Sequence, residues 1–119
     1  MRAILEGRKT TTTSLAQEYE IGRETLPRRG QRSVVVDSDN QPVCVIETVD
    51  AIIVPLGGVD FAHVEDEGEG HATISDWRTG HENFWRSKEM TDSLGGTALE
   101  LDDATPVVLE RFRLMERLR

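Results

Sequence analysis

The middle of the chain carries the pattern that most restricts its fold, two β-branched stretches separated by four turn-forming residues. Ser33–Val36 predicts one strand and Pro42–Asp50 a second. The residues between them, Asp37-Ser38-Asp39-Asn40, tolerate turn geometry and bond to their own backbone. We therefore predict a β-hairpin, with the apolar Ala51–Leu56 as a further strand or as a continuation of the second.

Short helices and a last strand are predicted around this hairpin. Met1–Glu6 forms a helix that Gly7 ends, and the four threonines at 10–13 favour extended backbone because β-branched residues disfavour helix. Further elements are a helix over Val59–Glu67, a longer helix capped by Thr73 with Asp76 as the reciprocal partner, and a strand over Pro106–Met115. The sequence predicts an α+β fold, a small β-barrel of mostly antiparallel strands with flanking helices.

Size and charge restrict the function. The 119 residues are enough for one domain, residues 1–119, since about 100–200 residues per domain is typical. The 14 basic and 22 acidic side chains give a net charge of −8, which disfavours a long basic track for nucleic acid. The four arginines between Arg23 and Arg32 leave room for a small local basic face.

The apolar stretches are too short for a membrane protein. The longest run is Ala51–Leu56, whereas a spanning helix needs about 20 apolar residues. No signal-peptide pattern opens the chain, and the single cysteine, Cys44, has no internal disulfide partner. We therefore expect a cytoplasmic protein without a membrane partner.

A lysine beside several hydroxyls is the first candidate for chemistry. In Gly7-Arg8-Lys9-Thr10-Thr11-Thr12 the upstream glycine of a phosphate loop is absent. Lys9 is suited to act as a base for a threonine hydroxyl when desolvated, or to hold an oxyanion or phosphate when charged. The alternative is an edge strand with a solvated lysine.

The acidic segment and the histidines are the second candidate. Glu65–Glu69 brings clustered carboxylates that suit acid–base chemistry or cation binding, or form a solvated loop. His63, His71 and His81 lack the spacing of a metal site, so no metal is predicted. We expect His81 to be hydrogen-bonded and partly buried, on the apolar stripe of its helix.

The aromatic residues are predicted either to pack in the core or to contact a ligand. Trp77 and Phe84 share a helical face and are expected in the core, whereas Trp85 is the candidate platform for stacking a base.

Several segments together resemble one family. Ile4–Thr12 resembles the opening Leu-x-Gly-x-Lys-Thr-x-Thr of the ASCH family, in the PUA-like superfamily. The hairpin residues Asn40–Ile46, the Glu67–Gly70 loop, the segment Trp77–Trp85 and the strand Pro106–Phe112 are similar to later parts of the same pattern, in order and spacing. The chain resembles a small bacterial ASCH protein over about its whole length.

This resemblance implies a small PUA-like β-barrel with a cleft over its mouth, and RNA or a modified nucleoside as ligand. Small bacterial members are associated with amide hydrolysis of N4-acylated cytidines, without metal or cofactor. Carried onto this chain, Thr12 attacks the acyl carbon, Lys9 takes or shares its proton, and Glu69 orients the lysine or stabilises the exocyclic amine, with Glu67 as second choice. The implied substrate-binding residues are Arg8, Thr10, Glu67, His71 and Trp85.

Two other functions and one assembly follow from the same resemblance. A ribonuclease on single-stranded RNA would use Lys9 on the phosphate, with Glu69 and His71 or His81 as acid and base. A non-catalytic RNA-binding module would show tryptophan fluorescence quenched by RNA, with no product formed.

Similar bacterial proteins carry a longer N-terminal helical segment, so we expect a homodimer, which a monomeric mass in light scattering would contradict. Gln31 and His71 depart from the family pattern, each standing where aspartate is usual.

Overall fold

The β-branched and apolar stretches form strands, and the segments between them form short helices. The computed structural model of the protein describes residues 2–94 and 100–118. Within these ranges the strands are β1 (Thr11–Leu15), β2 (Arg32–Val36), β3 (Pro42–Pro55) and β4 (Pro106–Arg117). The helices are α1 (Arg2–Leu5), α2 (Ala16–Ile21), α3 (Phe61–Asp66), α4 (Ile74–Trp85) and α5 (Lys88–Ser93), and a 3₁₀ turn spans Leu56–Gly58.

The predicted hairpin is confirmed as β2 and β3. The two strands pair antiparallel, and the Asp37 carboxylate accepts hydrogen bonds from the backbone N–H groups of Asp39 (2.9 Å) and Gln41 (3.0 Å) in the turn. The stretch from Ala51 continues the second strand to Pro55, so β3 is 14 residues long. This length lets β3 pair with β2 at its start and with β4 throughout.

The sheet is antiparallel, with the strand order β1-β4-β3-β2. The pairing of β3 with β4 shifts register twice, between Val45 and Ile46 and between Thr48 and Asp50. Such bulges bend a strand and increase its twist. The four strands accordingly curl into a half-barrel, and the predicted α+β fold with a curled antiparallel sheet is confirmed.

The apolar core has two parts. The larger part joins α3 and α4 to the sheet, through Leu15, Leu56, Val59, Val64, Trp77, Trp85, Leu94 and Val107. The smaller part lies under α1, and consists of Ile4, Val43, Cys44 and Phe112. The larger cluster holds α4 beside β1, and this packing positions the site described below.

Helix α4 begins at its predicted cap but buries a different face from the one expected. The Thr73 hydroxyl accepts a hydrogen bond from the Asp76 backbone N–H at 3.0 Å. Trp77 and Trp85 are 0% and 1% exposed, whereas Phe84 is 61% exposed, so the prediction of Phe84 as a core residue is wrong. The buried stripe follows steps of four residues through His81, which leaves Phe84 at its edge.

Helices α2 and α5 were not predicted, because six residues are too few to show a helical period. Among the described residues, no helix has the length and apolar content needed to cross a membrane.

Candidate functional site

The threonine run in β1 buries alternate side chains. Thr11 and Thr13 are buried, whereas Thr12 is half-buried and lines a cleft between β1 and α4. The Thr11 hydroxyl donates to the His63 carbonyl oxygen at 3.0 Å. Because side chains alternate along a strand, Thr11 and Thr13 share a face and anchor β1 to α3 and the loop after it, whereas the Thr12 side chain belongs to the other face.

A buried carboxylate, that of Glu67, lies beneath the cleft. It accepts hydrogen bonds from Thr13 Oγ1 at 2.5 Å and Trp77 Nε1 at 2.9 Å, and its oxygens lie 3.4 Å from His63 Nε2 and 3.1 Å from His81 Nε2. Burial raises the pKa of Glu67, but the hydrogen bonds from His63, His81, Thr13 and Trp77 outweigh it and hold the pKa well below its usual range. Glu67 is therefore an ionised group that ties β1, α3 and α4 together.

His81 links this network to the cleft. Its Nδ1 lies 3.0 Å from the Trp77 carbonyl oxygen, and its ring packs between Trp77 and Trp85, with centroid distances of 4.4 and 5.4 Å. Burial lowers the pKa of His81, but the hydrogen bond and the charge of Glu67 outweigh burial and raise the pKa above its ordinary value. The prediction of a hydrogen-bonded, partly buried histidine is confirmed.

Lys9 is held at the edge of the cleft by three oxygen atoms. Its Nζ donates to the Thr11 carbonyl oxygen at 2.9 Å and to the Glu67 carbonyl oxygen at 3.4 Å. Glu69 Oε1 lies 3.6 Å from the same nitrogen. Because Glu69 is more exposed than Lys9, the ion pair remains open to a ligand on the carboxylate side.

A glycine brings the Glu69 loop against the backbone that leads into β1. Gly68 has a φ of +68°, and a Cβ at this position would lie 2.5 Å from the Arg8 carbonyl oxygen. Only glycine fits such a close approach. The Thr10 N–H also donates to the Asp66 carbonyl oxygen at 2.7 Å, so the loop is tied to the chain on both sides of Lys9.

The cleft has the size of a small-molecule site. Its volume is about 430 Å³, within the usual range of about 300–1,000 Å³ for such sites. It is lined by Thr12, Thr13, Glu69, His71, Gly80, His81, Phe84 and Trp85. A neighbouring cavity of about 540 Å³ shares Glu69 and His71 with the cleft.

Part of the predicted site is thus brought together. Thr12, Glu69, His71 and Trp85 line the same cleft, and Lys9 contacts Glu69 at its edge. Trp85, however, is buried and contributes only to the floor, so its ring presents no open face for a base. The neighbouring aromatic ring open to solvent in this cleft is that of Phe84.

Three other predicted binding residues lie elsewhere. Arg8 lines the neighbouring cavity and pairs with Glu6 at 2.8 Å. Thr10 donates through its hydroxyl to the Asp66 carbonyl oxygen at 3.5 Å and does not line the cleft. Glu67 is fully buried under the cleft.

Sequence reasoning missed two polar residues of the network, Thr13 and His63. The two side chains are joined at 2.7 Å between Oγ1 and Nε2. The period of two in the threonine run was a signal for Thr13, because it gives Thr11 and Thr13 the same face. His63 precedes Glu67 by one helical turn, and this spacing was the signal for their contact.

One group of side chains in the cleft has the composition of a metal site. Among the described residues, Glu69, His71 and His81 offer one ligand atom each, all within 4.8 Å of one another. His71 and His81 are ten residues apart, and a loop and the start of α4 separate them. Their proximity is tertiary, and short sequence spacings do not reveal it.

The matches to known proteins cover nearly the whole chain. A family model described as the ASCH domain matches residues 1–116. A crystal structure of a protein from Enterococcus faecalis, of the family model DUF984, matches with a TM-score of 0.83 at 26% identity, over 98% of this chain and 66% of that one. A crystal structure of an ASCH domain from Lactobacillus crispatus matches with a TM-score of 0.82 at 28% identity, over 98% of this chain and 70% of that one. The chain therefore spans about two thirds of the length of these structures. No curated protein sequence matches it.

Proposed function

Because the chain belongs to the ASCH domain family, we propose that it is a single-domain cytoplasmic amidohydrolase that removes the acyl group from N4-acylated cytidines. Small bacterial proteins of this PUA-like family are associated with that reaction, by a threonine, a lysine and a glutamate. The corresponding residues here are Thr12, Lys9 and Glu69. A modified nucleoside is also the size of ligand that the cleft accepts.

The observation that carries the proposal is the Lys9–Glu69 ion pair at the edge of the cleft that Thr12 lines. The pair joins residues 60 positions apart, at 3.6 Å between Lys9 Nζ and Glu69 Oε1. A nucleophilic hydroxyl needs a nearby group that takes its proton, and a developing oxyanion needs a fixed positive charge. Thr12 and Glu69 line the cleft and Lys9 contacts Glu69 at its edge, so these three residues supply the groups in this proposal.

The reaction proceeds in two steps. Thr12 Oγ1 attacks the acyl carbonyl carbon, and its proton passes to the Glu69 carboxylate of the Lys9–Glu69 pair, so Lys9 keeps its positive charge. The carbon–nitrogen bond breaks, the proton moves to the exocyclic nitrogen, and cytidine leaves. Water then attacks the threonyl ester, which releases the carboxylic acid and restores the Thr12 hydroxyl. The Lys9 ammonium stabilises the oxyanion in both steps.

Phe84 is the residue against which the pyrimidine stacks in this proposal. Its ring is 61% exposed and lines the cleft, whereas Trp85 is buried below it. Aromatic side chains bind bases by stacking, at about 1–3 kcal/mol per base. We therefore assign to Phe84 the stacking role that the sequence suggested for Trp85.

The charges of the protein favour a nucleoside over an RNA chain. The net charge is −8, and three arginines of the sheet are already paired with carboxylates. Arg32 and Arg113 lie 3.3 and 2.7 Å from the oxygens of Glu47, and Arg111 lies 2.8 Å from Asp66. A protein that binds an RNA backbone needs unpaired positive charge for the phosphates.

The test is incubation of the purified protein with N4-acetylcytidine and, separately, with a labelled single-stranded RNA, each followed by chromatography. We expect cytidine from the first and an unchanged RNA. Lys9→Ala and Thr12→Ala are each expected to lower kcat by at least about 100-fold. Lys9→Ala removes an oxyanion-stabilising group, a loss that typically costs about 10²–10³-fold, and Thr12→Ala removes the nucleophile.

Matched controls separate chemistry from folding. Lys88 is the only other lysine of the chain, and Thr79 is an exposed threonine of α4. Lys88→Ala and Thr79→Ala should retain full activity, and circular dichroism should be the same for all four variants. Full turnover by Lys9→Ala or Thr12→Ala would reject the assigned roles, and RNA cleavage without cytidine release would favour the ribonuclease.

A further inference from the structure

Glu69, His71 and His81 converge at the rim of the cleft from two elements. Glu69 and His71 lie in the loop after α3, and His81 lies in the middle of α4. Glu69 Oε2 is 3.4 Å from His71 Nε2, and the two imidazole centroids are 6.3 Å apart. The three ligand atoms lie within 4.8 Å of one another, a separation that one bound ion can bridge.

The orientation of His81 is the second observation. Its Nδ1 faces the Trp77 carbonyl oxygen at 3.0 Å and donates a hydrogen bond to it. A histidine that ligates a metal usually donates its other ring N–H to a carbonyl or carboxylate, which fixes the ring and the tautomer. In His81 this leaves Nε2 as the atom that points toward the carboxylates.

The buried carboxylate below the rim adds a negative charge to the site. Glu67 Oε2 is 3.1 Å from His81 Nε2, so a negative charge lies directly beside this ligand atom. Glu67 also accepts hydrogen bonds from Thr13 and Trp77, which hold the carboxylate in place. The negative charge favours a cation at the neighbouring ligand atoms.

We propose that Glu69, His71 and His81 bind one divalent transition-metal ion, with zinc as the best match. Two imidazoles and one carboxylate suit Zn²⁺, whereas Mg²⁺ prefers an all-oxygen set. Three protein ligands leave a fourth tetrahedral position for water or another ligand. The ligand side chains are 44%, 24% and 13% exposed, so an ion has access to the site from solvent.

Zinc at this site competes with Lys9 for Glu69, and this consequence rests on the proposed hydrolase. The Lys9–Glu69 pair at 3.6 Å uses Oε1 of the same carboxylate that coordinates the ion. Zinc therefore inhibits the hydrolysis, and the site makes the activity sensitive to the metal.

The test is titration of the purified protein with ZnCl₂, and separately with MgCl₂, by isothermal calorimetry. We expect one Zn²⁺ per chain and no heat from Mg²⁺. His71→Ala and Glu69→Gln should each weaken zinc binding by at least about tenfold, the loss that even outer-shell changes produce. Glu65→Gln makes the same charge change at an exposed residue outside the site, and should bind zinc as the wild type does.

The outcomes distinguish the metal site from the hydrolase. Equal zinc affinity in the wild type, His71→Ala and Glu69→Gln, with all three folded by circular dichroism, would overturn the site, as would the absence of binding to the wild type. If calorimetry supports the site but N4-acetylcytidine is not hydrolysed, the proposed function fails and the zinc site stands. If hydrolysis occurs, one equivalent of zinc should inhibit the wild type more than ten times as strongly as His71→Ala.

Discussion

At the scale of single residues, the Glu67 carboxylate organises the site from a fully buried position. Four side chains surround it, and removal of one partner of a buried charged pair typically costs about 3–5 kcal/mol. The hydrogen bond and charge of Glu67 raise the pKa of His81, and the hydrogen bonds to Glu67 lower the pKa of its carboxylate. The stability of the protein therefore depends on pH through this pair.

We predict that the free energy of unfolding is greatest in mildly acid solution and falls as the pH rises past neutrality. The folded-state pKa of His81 is raised, so its contribution is fully present below the unfolded value of about 6.5 and is lost as the pH rises through the folded value. The pKa of Glu67 is lowered, so its contribution persists above about pH 4.3 and is lost only in stronger acid. Urea denaturation at about pH 5.5, 6.5, 7.5 and 8.5 measures the change in the free energy of unfolding.

His81→Gln is the control, because it removes the titrating ring and keeps a hydrogen-bonding side chain. Its unfolding free energy should change less between the lowest and highest pH than that of the wild type. Parallel curves for the two proteins would assign the pH dependence to other groups.

Local chemistry predicted some of these residues and missed others. The hydrogen-bonded His81 followed from its place on a helical stripe, and the extended threonines from β-branching. The sequence did not show that Trp85 rather than Phe84 is the core residue, because the two are neighbours at the edge of the apolar face. Which ring is buried depends on how α4 packs against the rest of the core, and contacts such as the Trp77–Glu67 hydrogen bond join residues ten positions apart.

At the scale of elements, the contact between the Glu69 loop and the chain before β1 holds Glu69 beside Lys9. We predict that Gly68→Ala destabilises the protein and lowers amidohydrolase activity. A left-handed φ costs a non-glycine residue about 1–2 kcal/mol. The overlap with the Arg8 carbonyl oxygen, at 2.5 Å from the new Cβ, adds about 1–3 kcal/mol of overpacking. Urea denaturation and turnover of N4-acetylcytidine measure the two effects.

Gly70→Ala is a matched control two residues further on. Gly70 has a φ of +80°, and nothing lies within 4 Å of the position that an alanine Cβ would take, so the substitution introduces backbone strain without overlap. The difference between the two variants isolates the close approach to Arg8. Equal losses of stability would mean that backbone strain alone accounts for the effect.

The elements themselves were largely predictable where short-range signals define them. The Asp37 turn and the flanking β-branched residues define the hairpin, and Thr73 defines the start of α4. Helices α2 and α5 lack such signals, and the strand order β1-β4-β3-β2 depends on pairing between the two ends of the chain. The β1–β4 ladder places Thr12 opposite Glu110, a contact that no local pattern specifies.

At the scale of the whole molecule, the negative net charge of the protein should favour neutral over anionic substrates of the proposed hydrolase. The net charge of −8 produces a negative potential that a neutral nucleoside does not experience and a phosphorylated one does. Within the cleft, Lys9 is already paired with Glu69, which leaves little positive charge for a phosphate. The proposed hydrolase should therefore prefer the free nucleoside.

We predict that kcat/KM for N4-acetylcytidine exceeds that for its 5′-monophosphate by about tenfold at low ionic strength, the lower end of electrostatic effects on association. The preference should shrink at about 1 M salt, where the Debye length is only about 3 Å. The neutral 5′-O-methyl ether of N4-acetylcytidine controls for the bulk of the added group, and should be hydrolysed about as well as the parent nucleoside at both salt concentrations. A preference for the nucleoside that does not change with salt would point to steric exclusion, and a preference for the monophosphate would show that the cleft contains a phosphate site that outweighs the negative charge of the molecule.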